Sequence, residues 1–91
     1  MEQHTISLYR NGEPIWSKPA TYLHRITIFE TYATLHFIGG FMMSLRIFKY
    51  STDAIRYMGE TYASREDLAR LEEKISLVKE QKNLEYILNN I

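Results

Sequence analysis

The sequence lacks cysteine altogether, which excludes disulfide bonds and thiolate metal sites. It has two prolines and four glycines in 91 residues, so few positions force a turn or break a strand. Its apolar runs are short, as at 41–43, whereas a membrane-spanning helix needs about 20 apolar residues. Residues 1–4 carry neither the basic nor the apolar region of a signal peptide. We therefore predict a protein of the cytoplasm, bacterial or host, that makes no membrane contact.

The chain also has no net charge. Lys and Arg number 11, and so do Asp and Glu, which argues against a strongly basic nucleic-acid binder and against an acidic DNA mimic. The charges are spread unevenly, with six basic against four acidic residues before residue 60 and five against seven from there on. We expect a mildly basic N-terminal part and a mildly acidic C-terminal part.

Apolar and aromatic side chains are abundant, at 45% and 13% of the residues, which suits a packed core. The apolar period is two before residue 51 and three to four after it. The pattern predicts an α+β fold in a single domain, 1–91. Its parts would be a β-meander platform (1–50) with a small antiparallel sheet of about five strands (residues 4–49), a short helix (51–59), and a long C-terminal amphipathic helix (64–91, helical over 65–90).

Turn signals set the expected pairing of the first strands. Asn11-Gly12 is the strongest two-residue hairpin signal, because both residues tolerate positive φ. A two-residue turn at 30–31 would sort the next hairpin into an apolar and a polar face. The expected apolar pairs are Ile28–Ala33, Ile26–Leu35 and His24–Phe37.

Gly39-Gly40 predicts the following turn. A three-residue loop, 39–41, keeps the apolar residues on one face, whereas a two-residue loop would mix the faces, because a slip of one residue reverses every side chain. This loop would leave Phe41 and Met42 as contacts near its tip. The expected pairs are Phe37–Met43, Leu35–Leu45 and Ala33–Ile47.

A segment that resembles a capping box, 64–67, opens the long helix. About 26 helical residues would span about 39 Å, against about 20 Å for short strands, so the helix should extend beyond its sheet. We interpret its apolar stripe as a dimer contact or docking surface. The alternative is a helix broken near 81–83 that folds back on the same sheet. The stripe consists of Leu68, Leu71, Ile75, Val78, Leu84, Ile87, Leu88 and Ile91.

The outer face of the predicted sheet offers a second candidate surface. Basic side chains there alternate with serine and threonine hydroxyls, an arrangement that could bind a phosphate, an acidic patch or a nucleic acid. The alternative is a solvated face, since antiparallel sheets often leave one side in water. The candidate contacts are Arg25, His36, Arg46 and Lys49.

Patterns that carry catalytic chemistry are missing from the sequence. The three histidines have no metal-ligand spacing, no serine lies in a nucleophile elbow, and Gly39-Gly40 does not precede a phosphate-loop lysine. We therefore predict no enzyme, no metal and no cofactor. The main hypothesis is a small interaction or regulatory protein that binds itself, as a homodimer, or a larger protein through its C-terminal helix. One form of it is an inhibitor of a bacterial host or defence protein, encoded by a phage or mobile element. The alternative is a small nucleic-acid- or anion-binding module that uses the basic face.

Overall fold

The protein has an α+β fold, as the change of apolar period predicts. The structure, a computed structural model, describes residues 4–89, and it describes side chains for residues 4–80. The described chain forms seven strands, one 3-10 turn and one α-helix. These are β1 (Thr5–Arg10), β2 (Glu13–Pro19), the 3-10 turn (Ala20–Tyr22), β3 (Leu23–Ile28), β4 (Tyr32–Phe37), β5 (Met42–Arg46), β6 (Ala54–Tyr57), β7 (Glu60–Tyr62) and α1 (Arg65–Asn89).

The strands form two antiparallel sheets instead of the single predicted sheet of about five strands. The four-stranded sheet has the order β2-β1-β6-β7, and the three-stranded sheet has the order β3-β4-β5. The 3-10 turn redirects the chain after β2, and Pro19 at the end of β2 has no N–H to donate to a further strand. On its other side β1 pairs with the distant β6, which local sequence patterns do not reveal.

The predicted short helix at 51–59 is wrong, because this stretch leads into a β-hairpin. Met58 and Gly59 have φ of 54° and 79°, which closely match the 55° and 78° of the Asn11-Gly12 turn. Such a pair of positive φ values joins two strands in a tight hairpin. Ile55 is buried and exposed Arg56 follows it, so the period is that of a strand. Gly59 thus serves the β6–β7 turn and does not end a helix.

The predicted register of β3 and β4 is confirmed except at its far end. Ile28 pairs with Ala33 and Ile26 with Leu35, as expected. His24 does not pair with Phe37, since an irregularity in β3 between residues 23 and 25 gives that partner to Leu23 instead. A bulge of this kind changes the direction in which the extra side chain points. His24 is that extra residue, and it is exposed.

Residues 38–41 lie between β4 and β5, and the N–H of Phe37 donates to the carbonyl of Phe41, so the turn encloses three residues, 38–40, instead of the predicted 39–41. Gly39 and Gly40 both have positive φ, at 93° and 84°, a conformation that other residues adopt only with strain. The register therefore shifts by two from the expected pairs. Because two is the period of a strand, each side chain keeps its predicted face. The observed pairs are Ala33–Leu45, Thr34–Ser44, Leu35–Met43 and His36–Met42.

The core lies between the two sheets and the first half of α1. Both sheets contribute apolar residues at alternate positions, and α1 contributes residues three or four apart. The buried side chains are Ile6, Leu8, Ile55, Tyr57 and Tyr62 from the four-stranded sheet, Leu23, Ile26, Ala33, Leu35, Phe37 and Leu45 from the three-stranded sheet, Ala20, and Leu68, Leu71 and Ile75 from α1.

Helix α1 covers the outer edge of β3 with polar side chains. Its direction is opposite to that of β3, because successively later helical residues contact successively earlier strand residues. These contacts satisfy edge groups that would otherwise be open to pairing with another chain. Arg65 donates to the carbonyls of Phe29 and Glu30, Glu72 accepts from the N–H of Ile26, and Lys79 donates to the carbonyl of Leu23.

Candidate functional site

The predicted basic stripe divides into two parts in the structure. Arg25 and His36 lie opposite each other on β3 and β4. Arg46 lies opposite Tyr32, four residues along β4 from His36, a separation of about 13 Å. The ammonium of Lys49 lies 5.5 Å from the centre of the ring of Tyr50, beyond the end of β5. Arg25 and His36 are therefore together, whereas Arg46 and Lys49 belong to the other end of the sheet.

A cleft lies at the end of the three-stranded sheet where β4 turns into β5. Its volume is about 630 Å³, and we call it the loop cleft. Arg25 and two histidines line it, and among the side chains that the structure describes no Asp or Glu does. The lining residues are His24, Arg25, His36, Phe37, Ile38, Gly39, Gly40, Phe41 and Met42.

His36 is held in the loop cleft by a neighbouring strand. Its Nε2 lies 3.0 Å from the hydroxyl oxygen of Thr27. A hydroxyl can donate to or accept from an imidazole nitrogen, so this contact holds the ring in either tautomer and in the charged form. The other ring nitrogen, Nδ1, does not take part in this contact.

His24 is a cleft residue that the strand pattern did not predict. Strict alternation places it on the apolar face, but the bulge in β3 turns it outward, where it lines the cleft beside Arg25. A histidine in a row of apolar positions is itself a weak signal of such a bulge, because burial of an imidazole needs a hydrogen-bond partner.

Aromatic packing fixes the floor of the loop cleft. The ring of Trp16 meets Phe37 and Phe41 edge to face, at centroid distances of 5.4 and 6.4 Å. The ammonium of Lys18 lies 4.3 Å from the centre of the Phe41 ring. Phe41 is thus packed on one side, and the exposed tip of the loop is Ile38, with 63% of its surface accessible.

The other candidate surface is α1, whose apolar residues do not form one continuous stripe. Leu68, Leu71 and Ile75 are buried in the protein's own core. Val78 is half-buried. Leu77 is 57% exposed, and at about 100° per residue it lies about 180° around the helix from Leu68. The predicted contacts Leu84, Ile87, Leu88 and Ile91 lie outside the residues whose side chains the structure describes.

A polar cluster fixes the first half of α1 to β7. The hydroxyl of Tyr62 donates to a carboxylate oxygen of Glu60 at 2.9 Å, and Lys74 on α1 donates to both residues at 3.3 to 3.4 Å. The hydrogen bond from Tyr62 and the nearby Lys74 lower the pKa of Glu60. Because these contacts and the buried leucines orient the helix, the side on which Leu77 lies is left to solvent.

Comparisons with known proteins give no relative for this chain. No protein-family model, no curated protein and no solved structure matches it. Across the residues that the structure describes, no group of three or more His, Asp and Glu side chains is placed to hold a metal ion. No described helix has the length and hydropathy needed to cross a bilayer.

Proposed function

We propose that this protein is a non-enzymatic interaction module in which two copies associate through the outer side of α1. The observation that supports the proposal is the exposure of Leu77 on the side of the helix opposite to Leu68, Leu71 and Ile75. The first half of α1 uses one side to complete its own core, so the other side is available to a partner.

The spacing of the sequence continues this second side of the helix. Positions 77, 81, 84, 88 and 91 are separated by four, three, four and three residues, which is the spacing of the contact positions in a coiled coil. Leucine or isoleucine occupies four of them, and Gln81 occupies the fifth. A single polar residue at such a position favours a defined register and number of chains at some cost in stability.

Length and charge support a second copy as the occupant. Lys79 contacts the first residue of β3, and α1 continues for ten residues to Asn89, about 15 Å further along the helix axis. Residues 77–91 contain two lysines and two glutamates, so two copies of the segment meet without net repulsion. A short helix pair buries less area than a standard interface, and we expect a dissociation constant in the micromolar range.

We expect the wild-type chain to dimerise with increasing concentration and the double variant Leu84→Glu/Leu88→Glu to remain a monomer. Two carboxylates within an apolar contact should weaken association by at least about 100-fold, since each buried charge costs several kcal/mol. The measurement is size-exclusion chromatography with light scattering, and circular dichroism checks that helix content is retained.

The matched control is Asn83→Glu/Asn89→Glu, which adds the same two charges to the same segment. Positions 83 and 89 lie about 100° or more around the helix from Leu84 and Leu88, so this variant should dimerise like the wild type. A wild-type chain that remains monomeric at about 1 mM, or a control that dissociates as readily as the leucine variant, would contradict the proposal.

A second candidate function is the binding of single-stranded nucleic acid at the other end of the three-stranded sheet. Phe29 and Tyr32 stack at 4.6 Å, each is 41% exposed, and Arg46 lies opposite Tyr32 on the neighbouring strand. Exposed aromatic rings beside a cation are the elements with which proteins stack bases and contact phosphates. This observation favours the nucleic-acid hypothesis for Arg46, and not for Arg25 or His36.

If this candidate is correct, an oligonucleotide should bind more weakly as salt rises from about 50 to about 200 mM, because phosphate contacts release counterions. Fluorescence anisotropy with a labelled oligothymidylate measures the effect. Tyr32→Ala should weaken binding about tenfold, since a stacked base contributes about 1–3 kcal/mol, whereas Tyr50→Ala should leave it unchanged. Affinity that is independent of salt would eliminate this candidate.

A further inference from the structure

We propose that the loop cleft binds an organic phosphate, with the phosphate group contacted by His24, Arg25 and His36 and the organic part lying on Ile38 and Met42. The inference does not depend on dimerisation through α1 or on the nucleic-acid candidate, because it concerns different residues.

Charge is the first argument for an anion. One arginine and two histidines line the cleft, and none of the Asp or Glu side chains that the structure describes does. The ion pairs formed among the described residues involve Arg10, Arg70 and Lys74, and none involves Arg25. Arg25 is exposed and has no ion-pair partner among the described residues, and a guanidinium suits phosphate because its N–H groups match two oxygens at once.

Two neighbouring features position the two histidines before a ligand arrives. The hydroxyl of Thr27 holds the ring of His36 at 3.0 Å, and the bulge in β3 turns His24 to the same side as Arg25. Ligand binding then loses less conformational entropy, because these side chains are already ordered. Three donors from separate backbone positions fit the several oxygens of a tetrahedral phosphate, whereas a carboxylate is already satisfied by one guanidinium.

The apolar rim is the argument for an organic ligand over a free ion. Ile38 and Met42 are 63% and 59% exposed, and both line the cleft beside the basic groups. An exposed apolar surface next to cations favours a ligand that has an apolar or aromatic part attached to its charge. Methionine adapts its side chain to ligands of different shape.

The test uses phenyl phosphate, inorganic phosphate and benzoate as probes of the full chain. Titrations followed by ¹H–¹⁵N NMR should show phenyl phosphate binding about tenfold more tightly than either other probe. The shifts should centre on the amides of Gly39 and Gly40, which lie in the cleft wall. Arg25→Gln should weaken phenyl phosphate binding at least tenfold, the value of one charge-assisted hydrogen bond.

Arg56→Gln is the matched control, because it removes the same charge from an exposed strand position outside the cleft. Its affinity for phenyl phosphate should equal that of the wild type, and the NMR spectra of both variants should report an intact fold. Equal binding of benzoate and phenyl phosphate would overturn the assignment to phosphate. Shifts centred on Arg46, or no shift at about 10 mM ligand, would overturn the site.

Discussion

Replacing Leu71 by alanine is expected to lower the free energy of unfolding by about 3 kcal/mol, the cost of removing a fully buried leucine and leaving a cavity. Leu71 has no exposed surface, and it lies on α1 between Leu68 and Ile75, which are also buried. In a chain of this size the loss corresponds to a fall in melting temperature of about 15 °C. Urea or thermal unfolding followed by circular dichroism measures both values.

The neighbouring leucine on the same helix provides the control. Leu77 is 57% exposed, so Leu77→Ala should change the unfolding free energy of the monomer by less than about 0.5 kcal/mol. The pair also separates the two sides of α1. At low concentration Leu71→Ala alone should be destabilised, whereas Leu77→Ala should act on the concentration dependence of dimerisation. If both substitutions cost the same, the assignment of one side to the core and the other to a partner is wrong.

The long helix could be predicted from the sequence because its signals are local. Ser64 accepts a hydrogen bond from the N–H of Asp67 at 3.1 Å, and the carboxylate of Asp67 accepts in return from the N–H of Ser64 at 3.3 Å, which is the capping arrangement that the motif predicts. The absence of glycine and proline after Ser64 then lets the helix continue. The structure confirms the helix over Arg65–Asn89.

The division of the apolar residues of α1 between two sides could also be predicted from the sequence. It requires the angle of each residue around the helix, which the spacing between neighbouring apolar positions does not show. Ile75, Val78 and Leu84 look like successive members of one stripe when only gaps of three, four or six residues are counted. Their angles around the helix differ, because six residues add about 240° beyond a full turn. The exposure of Leu77 marks where the second side begins.

The two-sheet architecture and the loop cleft depend on contacts between distant residues. The β6–β7 hairpin is stable because Ile55 pairs with Tyr62 and lies beside Leu8 of β1, which is 47 positions earlier in the chain. Short segments with few local signals adopt the conformation that tertiary contacts favour. The same applies to His24, whose outward direction follows from a bulge that alternation alone does not predict.

The second large effect is expected from Asp53→Asn, which should lower the free energy of unfolding by about 2–3 kcal/mol, near the lower end for a broken buried ion pair. Asp53 is 3% exposed. The guanidinium of Arg10 donates to both its oxygens at 2.7 and 3.0 Å, and the N–H of Arg46 donates to one of them at 3.0 Å. The contacts join the end of β1 to the end of β5, and thus one sheet to the other.

A double-mutant cycle isolates the ion pair from other effects of the substitution. Arg10→Gln alone should cost at least as much as Asp53→Asn. It leaves the carboxylate of Asp53, which is 3% exposed, without its guanidinium, whereas Asp53→Asn leaves the Arg10 side chain, which is 33% exposed, in contact with water. The double variant Arg10→Gln/Asp53→Asn should be more stable than the sum of the two losses predicts, since the second substitution removes a partner that is already unpaired. Strict additivity would show that the two side chains do not interact.

The pH dependence of stability gives an independent check on Asp53. The hydrogen bond from Arg10, with that from the N–H of Arg46, lowers the pKa of Asp53. Its contribution is therefore complete above the ordinary aspartate pKa of about 4 and is lost as the pH falls through the lower folded value. The stability difference between wild type and Asp53→Asn should be constant near pH 7 and shrink below about pH 4.

Both proteins should retain some acid dependence, because the pKa values of Glu60 and Asp67 are lowered as well. A difference that stays constant down to about pH 2 would mean that the carboxylate charge of Asp53 does not stabilise the joint between the two sheets.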